Sequence, residues 1–245
     1  MMEWVSRLSP RGRARLAGVF EALEGSGSAV GQVVILGRLV VPKDAAATAH
    51  NILANEGLYR FGFLLSVAGV MFHLAWALLM YQLLRPLNRT VAQLAVFAVI
   101  VCSAMQALTG VLYLGPLLVL QSAQSVSGLT ADQGQGIAFA ILKLNRAAFQ
   151  VDLVFFGLWC MLTGYLMWRS AFLPRLLGAL LMLDGFGWML YVWPPLATFL
   201  FPAIAVVSGL AEAPLQVWLI VFGVNSKKWH EQVAALRAEG VAAAV

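Results

Sequence analysis

Long apolar blocks alternate with short polar connections along almost the whole chain. A helix that crosses a bilayer needs about 20 mostly apolar residues. Five segments meet this without strain: 60–84, 91–120, 148–168, 176–193 and 197–224. A sixth, about 16–41, is more polar, with Glu21, Glu24, Ser26, Ser28 and Gln32 and three glycines between 25 and 31. Its outer part, VVILGRLVV, also has strand-like composition. An isolated strand cannot satisfy its backbone in lipid, so a helix is expected there too. Residues 42–58 predict a short interfacial helix, and 121–136 a polar, glycine-containing loop. The other connections are tight, which favours antiparallel neighbours. Trp193 to Pro195 mark the hairpin between the fifth and sixth segments.

This pattern predicts an all-α, polytopic transmembrane bundle of six helices. A basic N-terminus (1–15) precedes the transmembrane domain (16–224), and a tail (225–245) follows it, a short polar helix at most. Composition agrees. Hydrophobic residues make up 61% of the 245 and charged ones 11%, against a soluble norm of roughly 45–50% and about 25%. The net charge of +5 does not indicate nucleic acid, because the basic residues flank the apolar segments singly or in pairs. That distribution sets orientation. With the N-terminus inside, one face collects Arg7, Arg11, Arg13, Arg15, Arg85, Arg89, Arg169, Arg175, Lys227, Lys228 and Arg237. The other collects Arg38, Lys43, Arg60, Lys143 and Arg146, eleven against five. Both termini are therefore expected on the cytoplasmic side of the membrane. Tyr59, Trp168, Trp193 and Trp229 near segment ends fit interfacial belts.

Ionisable groups at membrane depth are expensive and by default mark function. His73 lies centrally in the second segment, Asp184 in the fifth and Glu212 in the sixth, and Asp152 in the outer third of the fourth. Gln106 adds an amide in the third. Ser208, Glu212 and Gln216 are spaced by four and share one helical face. Pro214 frees the carbonyl of Leu210, so a carboxylate beside an open carbonyl would suit a proton or cation. The plainer alternative is a protonated side chain that joins helices by hydrogen bonds. Asp184 and Glu212 sit at similar depth on two arms of one hairpin and would share a proton if both point inward. Alternatively Asp184 meets His73.

At the outer mouth, Asn51, Asn55, Glu56, Arg60 and Asp152 form a candidate rim beside His50. Glu56 and Arg60 are spaced for a structural ion pair. Asp152 is a candidate partner for Arg146 or Arg60. Gly157 and Gly164 share a face and suggest close helix packing. A lone membrane histidine such as His73 could bind a cofactor iron, but bis-histidine haem is disfavoured because His50 and His230 lie at the wrong depths. Two cysteines inside apolar segments and three histidines leave no structural zinc cluster, no di-iron set and no H-E-x-x-H. No metal or cofactor is implied.

Three stretches resemble a known family: AAATAHNILANEGLYRFG (45–62), FFGLWCMLTGYLMWRSAFLPRLLGALLML (155–183) and GLAEAPLQVWLIVFGVNSKKW (209–229). The matching residues are Asn51, Asn55, Glu56 and Arg60; Arg169, Ser170, Phe172, Pro174, Arg175 and Gly178; and Glu212 with the W-L-x-V-x-G-V that follows. On these the chain, from about 44 to 229, resembles the bacterial membrane family called domain of unknown function 4386. The resemblance implies a multi-pass membrane protein and supplies no catalytic residues. It departs in the polar first helix and at Asp184, where a small residue would be usual. The function expected is non-enzymatic: an accessory or interaction protein, or one that binds a lipid-like ligand, with membrane lipids, other membrane subunits or its own copies as partners. The alternative is a small proton-linked carrier using Glu212 and Asp184. Third is a lipid-modifying intramembrane enzyme, for which no nucleophile or metal constellation is present.

Overall fold

The computed structural model describes residues 8–125 and 129–242. Every regular element among them is helical. The first helix, α1 (Pro10–Ser28), continues through a π-helical stretch (Ala29–Ile35) into α2 (Leu36–Leu39). Then follow α3 (Ala45–Ala54), α4 (Glu56–Leu84), α5 (Arg89–Ser125), α6 (Ala131–Arg169), α7 (Arg175–Met189), α8 (Pro194–Val221) and α9 (Ser226–Ala242). A 3₁₀ turn, Leu190–Val192, joins α7 to α8.

Six of these stretches are long and apolar enough to cross a membrane: Pro10–Leu39, Glu56–Leu84, Arg89–Ala123, Ala131–Arg169, Arg175–Val192 and Pro194–Val221. Their outward faces carry bare hydrocarbon, such as Phe97, Met71, Val111, Phe199 and Val206. In water that surface would aggregate; in lipid it is the solvated face. The protein is a multi-pass helical membrane protein.

Helix starts are set by small polar residues that take up otherwise unpaired amides. Ser9 Oγ accepts from Gly12 N at 3.1 Å, Asp44 Oδ1 from Ala47 N at 2.8 Å, and Asn88 Oδ1 from Val91 N at 3.0 Å. Asn225 Oδ1 accepts from Lys228 N at 3.1 Å. Thr130 and Gln133 bond reciprocally, backbone to side chain, at 2.9 and 3.2 Å. This capping box starts α6 at Ala131, well before the apolar block. The loop expected over 121–136 is correspondingly short: α5 runs to Ser125, and residues 126–128 lie outside the described part. Other ends moved as well. The first helix begins at Pro10 rather than about 16, and the tail forms a helix of 17 residues.

Two compact units are distinguished. One comprises the described residues of Met1–Ala22, His73–Cys102 and Leu153–Val245; the other, Leu23–Phe72 and Ser103–Asp152. The first has a core of Trp76, Met80, Leu83, Trp159, Leu166, Met167, Leu181, Leu215 and Leu219, with Ala14 and Ala17 from α1. Within it, α6 and α7 approach almost backbone to backbone. Gly157 faces Gly185 and Gly164 faces Gly178: a Cβ on Gly157 would lie 2.5 Å from the Gly185 carbonyl oxygen, and one on Gly164 2.7 Å from that of Gly178. Small residues permit such approach without a hydrophobic driving force between helices in lipid.

Arg11 and Arg15 of α1 close the end of α8. Arg11 Nε donates to the Phe222 carbonyl at 3.0 Å, and an Arg15 guanidinium nitrogen to that of Val221 at 2.7 Å. Cations suit a helix C-terminus, whose carbonyls lack partners. The chain then turns at Gly223, where φ is +67°. A Cβ there would also meet the Arg11 backbone oxygen at 3.0 Å. Helix α9 folds back: Trp229 Nε1 donates to Leu83 O at 3.0 Å, and Gln232 bonds Ala171 N and Arg169 O at 2.8 and 3.2 Å.

The second unit has a core of Ile35, Leu39, Ile52, Tyr59, Tyr113, Leu117 and Leu142. Tyr59 donates its hydroxyl to the Tyr113 carbonyl, and their rings lie 4.8 Å apart. Asn145 reaches across from α6 to the Thr109 carbonyl of α5 at 2.8 Å.

Candidate functional site

In the first unit, the sixth-span face predicted from the spacing of four is realised over its first half. Ser208 Oγ donates to Glu212 Oε1 at 2.9 Å. Glu212 is half-buried, as is Gln216 one turn further along α8. Opposite stands Asp184 of α7, fully buried at 0% exposure. Its polar neighbours are Glu212, Ser208 and Cys160, yet neither carboxyl oxygen meets hydrogen-bond geometry. The Trp188 indole, one turn after Asp184, adjoins Glu212. The Cys160 thiol is fully buried and lies within electrostatic range of Asp184, Glu212, Glu21 and Cys102. The predicted depth match between Asp184 and Glu212 is thus a side-chain neighbourhood.

His73 is also fully buried. Its Nδ1 lies 3.9 Å from Cys102 Sγ, and its ring stands 5.6 to 6.1 Å from those of Trp76, Phe156 and Trp159. An aromatic cage around an imidazole is a packed core setting. Among the described residues, no three His, Cys, Asp or Glu side chains converge closely enough to hold a metal. Pro214 lies inside an unbroken α8, so the interrupted-helix geometry of transporters is not adopted there.

Gln106 belongs to the second unit. Its Nε2 donates to Glu24 Oε1 at 3.2 Å, and Glu24 is 7% exposed. Both line a small hollow of about 20 Å³ with Ser28, Gln32, Ser66 and Thr109. That is room for about one water molecule. The π-helical stretch of the first span supplies Gln32 to this hollow. Extra-wide turns of this kind often occur where a helix re-aims side chains. The polarity of the first helix, a weak point for spanning when read from sequence, is here the source of a buried amide–carboxyl contact.

The expected outer rim divides into separate parts. Asn51 Nδ2 donates to Leu39 O at 3.1 Å and Asn55 Nδ2 to Asn51 O at 2.9 Å, so both tie backbone together. Glu56 and Arg60 form the predicted i, i+4 pair at 2.7 Å, on a solvent-facing surface. Arg60 Nε is thereby committed to Glu56. Asp152 is 1% exposed and does not stand on that surface.

Sequence reasoning did not single out Glu21, Glu24, Cys160 or Trp188. Trp188 carried a signal, since four residues from Asp184 puts it on the same helical face. Glu21 and Glu24 were visible as polar residues in a spanning helix but had no visible partner. Cys160 has no sequence signature at all.

The profile of a family described as a domain of unknown function matches residues 16–223, from the first span to the turn after the last. The chain belongs to the DUF4386 family. The match begins within the first span and covers the other five and both polar centres. No curated protein and no solved structure matches the chain. DUF4386 membership therefore adds no reaction to the site, and the function has to be argued from the residues.

Proposed function

We propose that this DUF4386 protein is a non-enzymatic multi-pass protein of the bacterial cytoplasmic membrane, with both termini inside. Its role is that of an accessory or interaction protein, or a binder of lipid-like ligands. In this reading Asp184, Glu212 and Ser208 join α7 to α8 inside the packed first unit and do not pass a substrate. The observation that carries it is the sealing of Asp184 on α7 against Glu212 and Ser208 of α8, with Trp188 of α7 beside Glu212. The large clefts of this unit are lined by other residues, including Arg13, Arg85 and Arg237 in one and Arg11, Trp218 and Phe222 in another. Buried carboxyls in membranes serve well as helix-joining groups when protonated and paired. Orientation rests on the eleven-to-five distribution of Lys and Arg.

The test is a comparison of Glu212→Gln and Glu212→Leu in purified protein. Gln keeps a polar group facing Asp184 and Trp188 of α7 as well as Ser208, and Leu does not. Retained melting temperature in the first and a clear loss in the second support a joining role; equal melting of the two would sink it.

A second reading has a specific observation behind it. Asp184 is sealed from the surface beside Glu212, Ser208 and Cys160, while Glu212 is only half-buried. Such a graded pair suits proton hand-over in a small carrier. Proteoliposomes loaded with a pH-sensitive dye test it directly: proton uptake in the wild type that is absent in Asp184→Asn would establish the carrier and displace the first reading.

A further inference from the structure

We propose that a cleft at one end of the first unit binds the phosphate headgroup of an anionic phospholipid. The cleft, about 630 Å³, is lined by Arg13, Arg85, Arg89 and Arg237 together with Tyr81 and Trp229. The four cations come from four different parts of the chain. Arg13 lies in the first turn of the first span, and Arg85 follows the last residue of the second. Arg89 opens the third span, and Arg237 comes from the helix after the sixth. Among the described residues, no aspartate or glutamate lines the cleft. Arg13 and Arg85 are close enough to repel, an arrangement that an anion between them relieves.

Topology alone does not account for this. The positive-inside rule asks for Lys and Arg near span ends but not for their convergence on one concavity. Arg11 and Arg15, on the same helix as Arg13, lie outside the cleft and bond carbonyls at the end of α8. Two features favour a lipid as the source of the phosphate. The turn between Leu84 and Arg89 joins the second and third candidate spans, so the cleft lies at span ends, the part of a spanning helix that meets headgroups. Its aromatic lining is of interfacial type: Arg85 lies over the Tyr81 ring at 5.8 Å, and the Trp229 indole is fixed by Leu83 O. Guanidinium groups match phosphate oxygens in fork geometry. The proposal deepens the lipid-binding part of the function proposed above. Its failure would leave the packed Asp184–Glu212 centre untouched, because the cleft shares no residue with it.

The experiment uses the full chain in detergent micelles carrying equal amounts of phosphatidylglycerol and phosphatidylcholine, with bound lipid counted by native mass spectrometry. Phosphatidylglycerol adducts are expected to predominate. Arg89→Gln and Arg237→Gln, both at exposed positions, should each lower the preference about fivefold, the factor for one basic residue at an anionic surface. Lys227→Gln removes an equal charge from α9 outside the cleft and should leave the preference unchanged. Equal binding of the two lipids, or equal losses in all three variants, overturns the proposal. Displacement of the lipid by inorganic phosphate at equal concentration also overturns it, since the site would then read free phosphate.

Discussion

Replacing Gly164 by alanine should separate α6 from α7. A Cβ at that position would lie 2.7 Å from Gly178 O, 2.8 Å from Met182 N and 2.9 Å from Met182 Cγ. The first two are backbone atoms, so no rotamer change relieves them. Ordinary contact needs roughly 0.7 Å more, and the two helices must part by about that much, loosening the packing on either side. Overpacking of this kind costs about 1–3 kcal/mol, and the rigid neighbours here argue for the upper half of that range. Gly209→Ala is the matched control: a Cβ there meets nothing within 4 Å. It should leave stability unchanged or raise it by up to about 1 kcal/mol through helix propensity. Thermal melting of the purified protein, with both variants in one detergent, reads the difference. A Gly164→Ala protein as stable as Gly209→Ala would refute the close contact of α6 and α7.

Three further outcomes are expected. Trp229→Phe keeps the aromatic body and loses the bond to Leu83 O, at a cost of about 1 kcal/mol in melting experiments. Glu56→Gln breaks an ion pair that solvent already screens, so stability should change by less than about 0.5 kcal/mol; a loss several times larger would restore a special role for the rim. Glu24→Leu removes the carboxylate that accepts from the half-buried Gln106 amide, whereas Glu24→Gln keeps an acceptor there. Melting should fall by about 1–3 kcal/mol for the first and much less for the second.

The spans were legible because hydrocarbon thickness imposes a length on apolar runs. Their ends were not, because hydrogen bonding along a helix continues into water wherever caps and propensity allow. The Thr130–Gln133 capping box carries α6 seventeen residues before the apolar block that starts at 148. Asp184 and Glu212 were recognisable as neighbours because a hairpin brings equal depths together. Glu24 was not recognised as the partner of Gln106, because the pairing depends on packing between spans distant in sequence, and the π-helical stretch that brings Gln32 to the same hollow was not foreseen either. A single extra residue per turn leaves no periodic trace. The rim at Asn51 and Asn55 looked like a recognition surface, since exposed amides near a span mouth resemble one. Their side chains instead bond the backbone of the same connection.

The central question for this protein is whether the Asp184–Glu212 pair is a joint or a passage. Proton uptake by reconstituted wild-type protein under an imposed gradient, set beside Asp184→Asn, decides it. The account predicts that the two traces coincide with that of empty vesicles. Uptake by the wild type alone would contradict it.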